Sequence, residues 1–302
     1  MRVFVTGASG WIGSAVVPEL LRAGHEVVGL ARSDASAQAL EAAGAEVLRG
    51  SLDDLQGLKA GARACDGVIH LAYVHDFSQF DENARIDRRA IDAFGEELAG
   101  TGKPLVIASG VAALAVGRVA TERDTVDPDN PFAERMFNEQ ALLALSGSRV
   151  RSSSVRLAPT VYGDGDHGFL PRVVDIAREK GLSAYVGDGS NRWCTVHRFD
   201  AARLFGLALE NAPAGSVLHG IGEQGVPLGA IAEVIGRHLE VPVRSIEAEE
   251  ANDHFGFLGP LLASDIAASS TLTQELLDWH PLQAGLIEDL EKGHYFGTSA
   301  AE

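Results

Sequence analysis

Residues Val3 to Gly13 read VFVTGASGWIG: an apolar β-rich run, three glycines spaced three apart, and then the helical pattern SAVVPELLRAG. Glycine is needed where a chain turns tightly, where backbone must come close to a pyrophosphate, and where a helix must touch a strand. A helix that starts here presents unpaired N–H groups and partial positive charge to an anion. The spacing G-x-x-G-x-x-G differs from G-x-G-x-x-G, and among 34 glycines a triplet alone carries little weight. Its place between strand and helix carries the argument. Gly7, Ser9, Gly10, Trp11, Ile12 and Gly13 are therefore the candidate phosphate cradle for a dinucleotide.

Working outward, short apolar runs alternate with longer helical patterns. RVFVTG, EVVGLA, AEVLRG, GVIHLA, PLVIAS and SSSVRLA read as strands, continuous in their apolarity because both faces of a parallel strand are buried. Helices between them are expected to stop at Gly24, Gly44, Gly67 and Gly100 or Gly102. Pro18 falls inside the first helix and predicts a slight kink. The pattern predicts a doubly wound parallel sheet of Rossmann type over residues 1–158. Beyond Pro159 the rhythm changes. YGDGDHG is a loop, a helix runs from Leu170 to Lys180, and SAYVGDG, WCTVH and SVLHGI read as strands. DAARLFGLALEN is a helix with Asp200 as N-cap, and Pro227 opens another. Residues 159–302 are expected to form a smaller α/β substrate lobe, interleaved with the first part as one compact unit.

Composition narrows the function classes. The 302 residues hold 42 acidic and 25 basic side chains, a formal net charge of −17. That field repels phosphate backbones and anionic lipid, and no Lys/Arg-rich run overrides it, so no nucleic-acid or membrane partner is expected. Cys65 and Cys194 lie too far apart for a metal motif and read as small buried fillers; no metal is expected. No secretory signal and no apolar run of membrane-spanning length is visible, so the expectation is a cytoplasmic protein.

VTGASGWIG resembles the N-terminal motif of the short-chain dehydrogenase/reductase superfamily. GVIHLA, LVIAS, VRLAPTVYG and WCTVHRFDAARL continue the likeness in order, and the last two are similar to the extended, epimerase/dehydratase-like branch. The resemblance implies a nicotinamide dinucleotide cofactor, with further contacts at Ser51 and Leu52 near the adenine, at Leu71, Ala72 and Tyr73 near the ribose and nicotinamide, and at Pro159 and Val161 near the carboxamide. It also allows a homodimer through the fourth and fifth helices. An acid at the end of the second strand would favour NAD(H) by binding the ribose hydroxyls. Here Arg32 and Ser33 follow that strand, which suits a 2′-phosphate and favours NADP(H); nearby Asp34 keeps NAD(H) as the alternative.

In this superfamily a Tyr supplies the proton and a Lys four residues later lowers its pKa. The four tyrosines, Tyr73, Tyr162, Tyr185 and Tyr295, are followed at that spacing by Phe77, Asp166, Gly189 and Ser299. The pair is absent. In NPFAERMFNEQALLAL, Arg135 aligns with the Tyr and Glu139 with the Lys. Arg135 cannot donate a proton at working pH but can stabilise an oxyanion; equally, Arg135 and Glu139 make an ordinary exposed i,i+4 pair. Ser109, at the end of the fifth strand, can bind a carbonyl oxygen. Tyr162, then His167, then Tyr73, with His75 as a further rival, are the candidate proton donors. His197 reads as structural. The expected function is NADPH-dependent reduction of a small or medium carbonyl or imine substrate. The alternatives are a catalytically silent NADP(H)-binding regulator and a sugar-nucleotide epimerase or dehydratase.

Overall fold

In the computed structural model the apolar runs assemble as one sheet. The structure describes residues 1–74, 79–112, 114, 117–126 and 133–297, and the side chains of all of these except Phe80, Glu134 and Arg135. Strands β1 (Arg2–Thr6), β2 (Glu26–Ala31), β3 (Glu46–Arg49), β4 (Gly67–His70), β5 (Pro104–Gly110), β7 (Arg151–Leu157) and β11 (Ser216–Gly220) pair in parallel in the order β11-β7-β5-β4-β1-β2-β3. The order reverses beside β1, which opens a crevice beyond the carboxyl ends of the strands where such sheets bind ligands. Strand β11 comes from the second half of the chain and completes the first half's sheet, so the two parts interleave.

Helices cover both faces. On one side α3 (Leu55–Ala64), α4 (Phe80–Leu98) and α5 (Ala133–Ala144) bury Phe4, Leu58, Ile91, Phe94, Leu105 and Leu142. On the other, α1 (Gly13–Arg22) and α7 (Arg198–Asn211) bury Val5, Val16, Leu20, Val155, Leu204 and Phe205. Full burial of a Leu, Val or Phe side chain is worth about 1.5–3 kcal/mol, so this two-sided packing fixes the sheet. Helix α1 continues through Pro18, and α2 (Asp34–Ala42) follows β2. Gly67 ends no helix: α3 stops at Ala64, and Gly67 opens β4, where a side chain would meet the Pro104 ring at 2.7 Å. Both cysteines are buried and free.

The second half builds three small sheets around the crevice. Strands β8 (Thr160–Tyr162), β10 (Arg192–His197) and β12 (Glu223–Pro227) form one; β9 (Ser183–Val186) pairs with β13 (Val243–Ile246); β6 (Val119–Ala120) pairs with β14 (Ala267–Ala268). Helices α6 (Phe169–Lys180), α8 (Leu228–Leu239), α9 (Ala251–Phe255), α10 (Gly259–Leu262), α11 (Thr271–Leu277) and α12 (Leu286–Glu291) pack around them, with Trp193 and Trp279 fully buried. Asp200 does not cap α7. His197 does, its ring accepting from the Phe199 amide at 3.2 Å. Asp200 instead takes the amides of Leu282 (2.9 Å) and Gln283 (3.0 Å), tying the C-terminal segment to the lobe.

Candidate active site

Strand β1 ends at Thr6 and the chain turns at Gly7, whose φ of +65° places it in the left-handed region. A Cβ there would lie 2.6 Å from the Ala72 nitrogen, and one at Gly13 would lie 2.1 Å from the Gly7 oxygen. The loop is therefore pressed flat against β4's exit on one side and against α1 on the other, which only glycine allows. Gly10 N–H closes the turn on the Gly7 carbonyl at 2.9 Å. No side chain caps α1; the Ser14 and Ala15 amides turn back on the Gly10 and Ile12 carbonyls, which leaves the amides from Trp11 to Gly13 for an anion. Ser9 is exposed, and Trp11 and Ile12 are half-buried beside it. The Trp11 ring N–H donates to the Val161 carbonyl at 2.7 Å, joining the loop to β8.

The crevice wall beside the loop is held by a buried chain. Thr6 Oγ1 accepts the Ala72 amide at 3.2 Å and meets His70 Nδ1 at 2.6 Å, while His70 Nε2 meets Asp87 at 3.1 Å. The carboxylate selects the Nε2–H tautomer, so Thr6 donates to Nδ1. Asn138 of α5 donates to Asp87 at 2.8 Å. Leu71, Ala72 and Tyr73 follow, half-buried at the wall, and Pro159 and Val161 stand half-buried after β7.

At the other end of the crevice, Arg32 is exposed. Ser33 caps α2 through the Ser36 amide at 3.1 Å. Arg49, which sequence reasoning did not single out, donates to the Ser33 carbonyl at 2.6 Å and pairs with Asp34. Arg49 and Asp34 thus pair with each other at the exposed turn after β2, and Arg32 stands beside them. Ser51 and Leu52, both half-buried, lead into α3.

The helix carrying the expected catalytic pair holds a different arrangement. Glu139 is no exposed partner of Arg135: it is 1% exposed and takes Arg156 of β7 in a fork, with Nη2 at 2.6 Å and Nε at 3.0 Å, plus the Ser154 hydroxyl at 2.7 Å. Arg156 Nη1 goes to the Asp124 carbonyl at 2.8 Å. Glu139 is thus a deep bracket between α5 and β7. The α5 helix runs antiparallel to the strands it connects, so Arg135, four residues earlier, has its backbone about 6 Å nearer the sheet's carboxyl edge. Its side chain, and all of His75, lie outside the described residues.

Arg156 stands in register with Ser109 on one side and His219 on the other. Parallel register puts all three side chains on the α5 face. Ser109 is 3% exposed, and among the described residues its hydroxyl has no hydrogen-bond partner. His219 Nδ1–H donates to the Ser269 carbonyl at 2.8 Å, and burial holds its pKa below the usual histidine value. Neither Arg156 nor His219 carried a sequence signal, since their partners come from distant segments.

Tyr162 is withdrawn from the donors. Its hydroxyl is committed to the Ala284 carbonyl at 2.7 Å, its ring is 3% exposed, and burial pushes its pKa well above the usual phenol range. It is a packing residue of the smaller lobe. His167 is exposed and sits edge-on against Trp11, with centroids 5.6 Å apart. Beside it Asp166, pushed up to about 6 by burial despite the Gly168 amide at 2.7 Å, is a carboxyl that sequence reasoning passed over.

A glycine turn that leaves no room for a Cβ, a helix start without a side-chain cap and a Ser109 hydroxyl with no partner among the described residues are features that fit a dinucleotide and a substrate oxygen. Among the described residues no group of three or more His, Cys, Asp or Glu side chains is placed to hold a metal ion, and no helix is long and apolar enough to cross a membrane.

Comparison with known proteins agrees with this geometry. The model of the NAD dependent epimerase/dehydratase family matches residues 3–219. An uncharacterized protein of Schizosaccharomyces pombe is 49% identical over 98% of this chain and 100% of its own length. The 4-hydroxy-2-methyl-3-oxo-4-farnesyl-3,4-dihydroquinoline-1-oxide ketoreductase of Stigmatella aurantiaca is 30% identical over 72% of this chain and 67% of its own. Among solved structures, a double mutant of the dTDP-glucose 4,6-dehydratase of Streptomyces venezuelae with NAD bound superposes with a TM-score of 0.79, covering 99% of this chain and 98% of that one at 20% identity, which shows a shared fold. Fold, phosphate loop and family match together make this chain a member of the NAD dependent epimerase/dehydratase family, in the extended branch of the short-chain dehydrogenase/reductase superfamily.

Proposed function

We propose that the protein is an NADPH-dependent reductase of a small or medium, partly apolar substrate bearing a carbonyl or imine. The observation that carries the reading is the buried Ser109 hydroxyl at the carboxyl end of β5, which has no partner among the described residues. A buried hydroxyl left unsatisfied costs about 1–3 kcal/mol, and a substrate oxygen in the crevice satisfies it. The nicotinamide, when bound, supplies the hydride. Ser109 donates a hydrogen bond to the substrate oxygen, and Arg135, one turn up α5 from the Glu139 bracket, stabilises the negative charge that develops there. His167 on the rim loop delivers the proton, with Tyr73 as its rival, because Tyr162 is committed elsewhere. The exposed Arg32 after β2 favours a 2′-phosphate. The ketoreductase of Stigmatella aurantiaca and the 2-alkyl-3-oxoalkanoate reductase of Stenotrophomonas maltophilia support a carbonyl substrate.

The test is transfer of deuterium from NADPH labelled at C4, using each C4 epimer with a panel of ketones, aldehydes and imines. Label in an alcohol or amine product is expected; label in none of them contradicts the proposal. One observation favours a second reading, a silent dinucleotide-binding regulator: Glu139, at the position of the family's Lys, is spent on Arg156, and no Tyr stands four residues before it. That reading predicts tight NADPH binding with no loss of 340 nm absorbance.

A further inference from the structure

Arg198 is placed where a cation is poorly accommodated. It is the first residue of α7, and its Nη2 donates at 3.2 Å to the hydroxyl of Ser14, in the first turn of α1. It therefore stands at the N-terminal turns of two helices, both of which carry partial positive charge. Its other hydrogen bond goes to the Asp164 carbonyl at 3.5 Å, and its Nε is buried with no partner among the described residues. The Asp164 and Asp166 carboxylates favour its charge from farther off, and burial outweighs them, lowering its pKa.

Two features hold the guanidinium there. Its carbon lies 4.0 Å from the centre of the Trp11 ring, a cation–π contact, and Trp11 is itself anchored to Val161. Close packing does the rest: a Cβ on Gly163 would lie 3.3 Å from the Arg198 stem. Trp11 occupies the position between Gly10 and Ile12 in the phosphate loop. The guanidinium is thus held at the start of α1, beside the turn that would seat an anion, with the Asp164 and Asp166 carboxylates as its more distant counter-charges.

We propose that Arg198 is a further cofactor-binding residue, contributing a positive charge from the second half of the chain to the pyrophosphate of a dinucleotide seated on the Gly7–Gly13 turn. This rests on the dinucleotide reading of the site. It gives the smaller lobe a direct hold on the cofactor, so that lobe and phosphate loop close on the same group.

The experiment is calorimetric titration of the full chain and of Arg198→Gln and Arg198→Lys with NADPH, and separately with adenosine 2′-monophosphate, which lacks the pyrophosphate, from low to physiological salt. Circular dichroism checks folding. Arg198→Gln is expected to weaken NADPH about ten- to a hundredfold, the worth of one charge-assisted hydrogen bond. Its salt dependence becomes shallower, and adenosine 2′-monophosphate binding is unchanged. An equal loss for both ligands, or an unaltered salt dependence, makes Arg198 a packing residue for Trp11 and overturns the inference while the cofactor site stands. Arg198→Lys keeps the charge and loses the flat stack, and carries the test if Arg198→Gln does not fold. NADPH affinity within about threefold of the parent supports the charge role, and a loss of tenfold or more overturns it. If the parent chain binds neither NADPH nor NADH, the inference and the reading beneath it both fall.

Discussion

Replacing Glu139 by alanine tests how the α5 helix is bracketed to the sheet. Its carboxylate is 1% exposed and receives three groups, Arg156 Nε, Arg156 Nη2 and the Ser154 hydroxyl. The Arg156 side chain is 4% exposed. Without Glu139 the guanidinium keeps, among the described residues, only the Asp124 carbonyl as a hydrogen-bond partner. Breaking one partner of a buried ion pair costs about 3–5 kcal/mol, because the remaining charge stays desolvated and unpaired. Glu139→Ala is expected to lose that much in urea unfolding. The double variant Glu139→Leu/Arg156→Met removes both charges and the need to desolvate them, so it recovers most of the loss. A loss below about 1 kcal/mol in the single variant, or a double variant as unstable as the sum of its parts, refutes the bracket. The same experiment discriminates a direct cofactor role: a ribose ligand would show as weaker NADPH binding at unchanged stability.

Three further outcomes follow from the geometry. Gly7→Ala forces a Cβ to 2.6 Å from the Ala72 nitrogen at a φ of +65°, and is expected to abolish dinucleotide heat in calorimetry and to destabilise the chain by about 1–3 kcal/mol. Tyr162→Phe removes the hydrogen bond to Ala284, costing about 1 kcal/mol in denaturant unfolding while leaving kcat within about twofold; loss of turnover at unchanged stability would restore Tyr162 as the donor. Asp166, raised from 3.8 to about 6, binds its proton more tightly folded than unfolded. Its contribution is therefore fully present below about pH 4 and is lost as pH rises through about 6. The span is about 2 pH units, or roughly 3 kcal/mol as an upper bound. Asp166→Asn is expected to flatten that part of the stability profile measured by thermal unfolding, and an unchanged profile contradicts the assignment.

The parallel strands were legible because both faces of each are buried, so EVVGLA and PLVIASG announce themselves as apolar runs. The glycine turn was legible because much of its constraint is local: Gly10 and Gly13 answer to Gly7 and Ala8 within one turn of chain, while the contact of Gly7 with the Leu71–Ala72 backbone was not to be read from spacing. What escaped depends on residues brought together from afar. Glu139 meets Arg156 across 17 residues and Tyr162 meets Ala284 across 122. Each side chain taken alone therefore suggested solvent or catalysis. Asp200 shows the same limit. Its place near a helix start suggested a cap, and the amides of Leu282 and Gln283 claimed it. Of the sequence candidates, the glycine loop touches the Leu71–Ala72 backbone and is tied to Val161 through Trp11, while the Tyr162 hydroxyl is committed to Ala284.

The central proposal is that the turn from Gly7 to Gly13 seats a nicotinamide dinucleotide, with Arg32 after β2 favouring one that carries a 2′-phosphate. Calorimetric titration of the purified chain with NADPH and with NADH measures this directly. One site per chain, tighter for NADPH, is the predicted result; no heat of binding with either dinucleotide contradicts the account.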